Sequence, residues 1–168
     1  MIIEYKGKRP VVDRGAIVSE GTYLAGDVTI GEGTSVWFGA VLRADFAPIR
    51  IGRFCSIQDN VVIHPTPERP VYIGDHVTIG HGAVVHACTV EDCALIGMNA
   101  TVLDGAVVGR GSIVAAGCVV TPGTVIKPWS LVAGVPGKVL RELGESSEQE
   151  RVSHARLYWE LARTYVEP

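Results

Sequence analysis

Aliphatic residues return every six positions along most of this chain, and that beat limits its possible folds more than any other property. The residues that open each unit stand at Val12, Val18, Leu24, Ile30, Val36 and Leu42, then at Ile51, Ile57 and Ile63, and then at Ile73, Ile79 and Val85. They resume at Val90, Ile96, Val102, Val108, Val114, Val120, Ile126 and Val132, which makes twenty rungs. The residue four places after each mark supplies an independent test, because it must face inward and be small if the chain turns a corner there. At sixteen of the twenty marks those positions read Ala16, Thr22, Val28, Thr34, Ala40, Cys55, Val61, Val77, Ala83, Ala94, Ala100, Ala106, Ser112, Cys118, Thr124 and Ser130. This is the hexapeptide signature of a parallel β-helix, in which each unit is a short strand plus a turn and stacked coils bury a common interior.

Composition agrees with an interior of small aliphatic side chains. Of 168 residues 47% are hydrophobic but only 7% aromatic, and there are 20 Gly and 9 Pro, which suits short strands and tight turns. The repeat domain is expected over residues 1–137. Residues 138–168 are expected to be a linker and a helix from Ser147 to Val166, opened by a Ser147/Glu150 capping box. Leu157, Leu161 and Tyr165 mark an apolar stripe, with Val152, Trp159, Ala162 and Val166 close by, that would cover the prism.

A net charge of −3 without a Lys/Arg cluster gives no reason to expect a nucleic acid or an anionic membrane as partner. No export signal or long apolar run is visible, so a cytoplasmic chain is expected. Cys55, Cys88, Cys93 and Cys118 form no CxxC pair and would remain thiols in a reducing compartment. Cys55 and Cys118 hold the small inward position and read as buried hydrophobes. Cys88 and Cys93 flank an irregular corner and could be exposed there, but with no partner spacing they read as structural.

The beat breaks three times. Leu42 to Ile51 carries three extra residues, Ile63 to Ile73 carries four, and Val85 to Val90 lacks one. The breaks are three rungs apart, hence one coil apart if three units make a coil, so loops stack at one corner of the prism. Arg43, His64 and His86 each directly follow a mark at these rungs and form a column on one outer face. Adjacent coils lie about 4.8 Å apart, so His64 and His86 can converge on one atom. His81 and Gln58 belong to a different face. A threefold rotation would bring one face of a subunit against a different face of its neighbour. Two histidines of one chain and one of the next would then form a three-His metal site with a fourth position open. His76 and His154 lack such company and read as solvated.

The motifs VLRAD (Val41 to Asp45), SIQDNVVIH (Ser56 to His64) and IGHGAVVH (Ile79 to His86) resemble those of the γ-class carbonic anhydrases and their close relatives, and the repeat resemblance spans about residues 12–137. It implies a left-handed β-helix of three units, or eighteen residues, per coil. The general rule for parallel crossovers favours the other hand, so the left hand rests on the resemblance. It further implies a homotrimer with zinc, or iron in some members, at each subunit interface. His64, His81 and His86 would be the ligands and Gln58 would orient the metal-bound water. Arg43 and Asp45 would form an interfacial ion pair, with Asp59 nearby, in a role more structural than catalytic. Asn60 and Tyr158 carry no positional argument toward the site. The implied reaction is reversible hydration of CO2 to bicarbonate by a metal-bound hydroxide; the fall of the water pKa toward about 7 is the value established for carbonic anhydrase itself.

The sequence departs from the best-known pattern at one step. Where that pattern has a glutamate after Arg-x-Asp, Phe46 stands here, and no matching acidic loop appears, so proton export would fall to water or buffer and turnover could be slow. Three other functions compete. LVAGVPGKVLREL resembles the segment after the repeats of CoA-dependent acyltransferases, which use a histidine base without metal. A metal-binding but accessory role, of the siderophore-binding kind, would follow from lost relays. The same metal hydroxide could also hydrolyse a thioester.

Overall fold

Nearly every marked aliphatic residue lies in a short strand, many of them two residues long, and each strand pairs in parallel with the one a full coil later. The spacing is eighteen residues where the beat is regular, as in Leu95↔Ile113, Thr101↔Val119 and Val107↔Val125. The computed structural model describes residues 1–145 and 148–166, and it shows a left-handed parallel β-helix of about seven coils followed by a single C-terminal helix.

The twenty marks sort into three rows. Leu24, Leu42, Ile63, Val85, Val102 and Val120 pair successively along the first face. Val12, Ile30, Ile51, Ile73, Val90, Val108 and Ile126 run along the second. Val18, Val36, Ile57, Ile79, Ile96, Val114 and Val132 run along the third. Leu24, Leu42, Ile57, Ile63, Ile79 and Ile96 are fully buried, and the small corner residues Ala40, Cys55, Ala83, Ala100 and Cys118 are buried with them. Burial of each large aliphatic contributes about 1.5–3 kcal/mol. Hydroxyls at corners join the coils: Thr34 donates to the Gly52 carbonyl at 2.9 Å and accepts the Cys55 N–H at 3.0 Å.

All three breaks in the beat fall at the corner between the first and second faces. The first is not a loop. A continuous strand, Val41–Ile51, crosses the corner alongside Tyr23–Ile30 and joins the two faces into one sheet, with a register shift between Gly26 and Val28 taking up the additional residues.

The two ends of the solenoid carry strands that the beat did not announce. Ile2–Ile3 pairs with Leu24–Ala25, and Lys138–Glu142, expected as linker, pairs antiparallel with Ser130–Ala133. Both cover backbone that an open coil would leave unpaired.

The helix spans Glu148–Val166 and lies along the third face, against Ile17–Val18, Ser35–Val36, Ser56–Ile57 and Thr78–Ile79. Ser147, the expected cap, lies outside the described residues. Leu157 and Leu161 of the expected stripe do not cover the prism, being 59% and 46% exposed, and Val166 is exposed too, whereas Tyr165, 64% exposed, meets Trp37 and Phe38 of the prism edge-on. Arg151, Ala155 and Ala162 are buried instead, because small residues let the helix approach a flat sheet closely. Polar anchors fix it there, with Arg151 Nε donating to the Gly111 carbonyl at 2.9 Å and Trp159 Nε1 donating to the Gly15 carbonyl at 3.0 Å. No helix among the described residues is long and apolar enough to cross a membrane.

Two expectations about exposure are corrected. Cys88 and Cys93 are as buried as Cys55 and Cys118, and all four are free thiols; burial pushes Cys55 and Cys88 up to about 12. His76 is half-buried, with its ring stacked on Phe54 at 5.6 Å and Nδ1 enclosed without a partner. Burial, assisted by Arg156, lowers its pKa.

Asp75 ties two coils together, accepting the Arg53 backbone N–H at 2.7 Å and its guanidinium at 3.0 Å. Burial alone would raise its pKa, but the Arg53 hydrogen bonds outweigh that and hold it below the usual carboxylate range. The unfolded chain therefore takes up this proton first, at about pH 3.9, so the stabilisation is present above that value and lost as pH falls through the folded pKa. Relative to Asp75→Asn, the native chain is expected to be more stable by about 1–2 kcal/mol across neutral pH in urea denaturation. That difference is expected to shrink below about pH 4.

Candidate functional site

Inward aliphatics set the direction of the histidines that follow them. Ile63 and Val85 are fully buried, so the alternation of a strand turns His64 and His86 outward. The strands Val62–His64 and Val84–His86 pair with His64 directly opposite His86. Their ring centroids are 5.2 Å apart, and His64 Nδ1 stands 3.1 Å from His86 Nε2.

The other nitrogen of each ring meets a carboxylate. His64 Nε2 donates to Asp45 Oδ1 at 2.9 Å, and His86 Nδ1 donates to Asp104 Oδ1. Arg43 Nη1 donates to the second oxygen of Asp45. Partial burial would raise the Asp45 pKa, but the His64 and Arg43 hydrogen bonds prevail and lower it. With those nitrogens so engaged, His64 Nδ1 and His86 Nε2 are left facing each other at 3.1 Å, where a proton or a metal ion can be shared between them. Phe46 packs edge-on against His64, with centroids 5.6 Å apart.

His81 is held separately, on the third face. Its neighbours explain why the turn is Gly-His-Gly. A Cβ on Gly80 would stand 2.8 Å from the Met98 nitrogen and 3.0 Å from the Ile96 carbonyl oxygen, while Gly82 has φ +69°. Ala83 donates to the Gly80 carbonyl and closes the turn. His81 Nδ1 meets Asp59 Oδ2 at 2.7 Å. Within one chain Asp59 thus pairs with His81 rather than with Arg43 and Asp45. Among the described residues, no three His, Cys, Asp or Glu side chains of one chain gather into a metal-holding group. The structure brings together Arg43, Asp45, His64 and His86, and places His81 with Gln58 elsewhere.

Gln58 and His81 line a groove of about 330 Å³ between the third face and the helix, floored by apolar residues including Leu95, Ile113 and Ala115 and completed by His154 and Tyr158. Gln58 is only 3% exposed. His154 is not the solvated residue the sequence suggested: it is half-buried, and its Nδ1 lies 3.2 Å from Thr78 Oγ1. Asp104 and His154 were missed as site residues. Following the histidine column one coil further would have reached Leu103 and Asp104; no local signal marked His154, whose place depends on how the helix docks.

The coil, its hexapeptide beat and the outward histidine pair define a hexapeptide-repeat β-helix protein. A family model described as dynactin subunit 5 matches residues 11–164. The chain is 48% identical over 165 residues to a carbonic anhydrase of Geobacillus kaustophilus, covering 98% of this chain and 91% of that one. It is 41% identical to the mitochondrial gamma carbonic anhydrase 2 of Arabidopsis thaliana, covering 95% of this chain and 59% of the relative. A Bacillus cereus crystal structure, assigned provisionally as an acetyltransferase, superposes with a TM-score of 0.94 at 36% identity, covering 98% of this chain and 95% of that one. The chain belongs to the γ-class carbonic anhydrase-like family of left-handed β-helix proteins.

Gly80→Ala tests how tightly the His81 turn is built. Its Cβ would force backbone of the next coil to move, so a loss of about 1–3 kcal/mol is expected in chemical denaturation. Undiminished stability would mean that the turn has slack.

Proposed function

We propose that the chain is a zinc-dependent carbonic anhydrase-like lyase that hydrates CO2 reversibly at sites shared between the subunits of a homotrimer. The observation that carries this reading is the matched state of three imidazoles. His64, His86 and His81 each have one nitrogen on a carboxylate, Asp45, Asp104 and Asp59 respectively, and one nitrogen left over. A carboxylate behind each ring is the usual support of a metal-binding histidine. The facing nitrogens of His64 and His86, each ring backed by a carboxylate, suit a shared metal ion, so the residues fit zinc.

His64 and His86 of one subunit and His81 of the next would hold the ion, since a heterologous ring contact sets the first face of one chain against the third face of another. Bound there, zinc would supply the positive charge that brings the pKa of a water toward neutrality, as in carbonic anhydrases generally. The carboxylates keep the rings in the tautomer that leaves a lone pair for the metal. Arg43 fixes Asp45. Gln58, buried in the groove beside His81, would orient water with its amide. The apolar floor of the groove suits CO2, which has no net dipole.

The Bacillus cereus structure favours a second reading, acyl transfer from coenzyme A. The two differ in what the chain requires. Purified protein is expected to hold about one zinc per chain and to hydrate CO2 in stopped flow, and His81→Ala is expected to lower the rate by at least about 100-fold. Equal rates in the two proteins would refute the proposal, and iron in place of zinc would revise the metal alone. Protection by acetyl-CoA without bound metal would establish the second reading.

A further inference from the structure

Hydration releases one proton for each bicarbonate formed, CO2 + H2O → HCO3− + H+, and that proton must leave the site before the next turnover. The glutamate that the family pattern places after Arg-x-Asp is replaced by Phe46, which offers His64 only the edge of an aromatic ring. Asp45, Asp59 and Asp104 are each already engaged by a histidine. A proton acceptor has to be sought elsewhere along the groove.

We infer that His154 is the residue that takes this proton from the groove and passes it to buffer, an inference that rests on the hydration reading. Three observations carry it. His154 lines the same groove as His81 and Gln58, and among the described residues no Asp or Glu lines it. The volume of about 330 Å³ holds roughly ten waters at about 30 Å³ each, enough for a hydrogen-bonded chain from the His81 end to the helix. In the tautomer whose Nδ1–H donates to Thr78 Oγ1, 3.2 Å away, Nε2 is left to accept a proton, and the ring returns it when the imidazolium meets buffer.

The surroundings of His154 allow both steps. Thr78, Ala94 and Leu95 face it from the strands, and Glu150, Arg151 and Tyr158 from its own helix. Its ring centroid lies 5.2 Å from that of Tyr158. Among the described residues no ion pair holds the ring, and burial lowers its pKa, which favours return of the proton to buffer. Histidine suits this work because its charge changes near physiological pH.

Oxygen-18 exchange on the zinc-loaded full chain separates interconversion of CO2 and bicarbonate from the proton-dependent release of labelled water. His154→Ala is expected to leave interconversion within about twofold while slowing water release by at least about tenfold, with recovery in imidazole buffer. His154→Asn, which keeps an amide for Thr78 but cannot titrate, is expected to show the same loss and the same rescue at unchanged thermal stability. Parallel loss of both rates, or loss of neither, overturns the relay while hydration stands. A native chain that exchanges no label overturns the hydration reading and the relay with it. Independently of turnover, the His154 Cε1 proton is expected to be broadened by the metal in the cobalt-loaded chain, and a sharp unshifted line overturns the inference.

Discussion

The parallel ladder that stacks each coil on the last is the constraint on which this molecule depends. Because register repeats by whole coils, a side chain placed outward in one coil has an outward neighbour directly above it. Ile63 pairs with Val85 inside and His64 therefore pairs with His86 outside. No loop needs to fold correctly to bring the two rings together. A slip of one residue would turn the histidines into the interior and the aliphatics to solvent, and the fully buried Ile63 and Val85 make that slip costly. The core and the candidate site are thus two faces of one register.

The same ladder explains why carboxylates stand behind the rings. Asp45 is supplied by the coil before His64 and Asp104 by the coil after His86, so the column reads carboxylate, imidazole, imidazole, carboxylate. Hydrogen bonding at both ends leaves one nitrogen of each ring facing the other in the middle. His81 repeats the pattern singly, with Asp59 on the preceding coil. A turn between two glycines holds it on the third face. The rigid scaffold supplies the orientation that catalytic groups on mobile loops would have to gain on binding.

Much of this was legible in the sequence because a six-residue beat maps position to face without reference to distant contacts. The twenty marks, the small corner residues, the shared corner of the three breaks and the stacking of His64 on His86 all follow from counting. What counting missed depends on tertiary fit. The helix was assigned an inward stripe of Leu157, Leu161 and Tyr165, yet its contact surface was decided by how closely Ala155 and Ala162 could approach the sheet and where Arg151 and Trp159 could reach carbonyls. His154 entered the groove as a consequence of that docking. The end strands Ile2–Ile3 and Lys138–Glu142 lie outside the beat, and the exposure of Cys88 and Cys93 was left open because an irregular corner says nothing about what packs over it. The left hand of the coil came from family resemblance rather than from any spacing.

In the proposed trimer, imidazoles from two chains share one cation. X-ray data collected on either side of the zinc absorption edge, from crystals of the purified protein, locate that cation. An anomalous peak is expected bonded to His64 and His86 of one subunit and to His81 of its threefold neighbour. Crystals in which the His64–His86 pair faces solvent, or in which the peak lies away from His81 of every neighbouring chain, would contradict it.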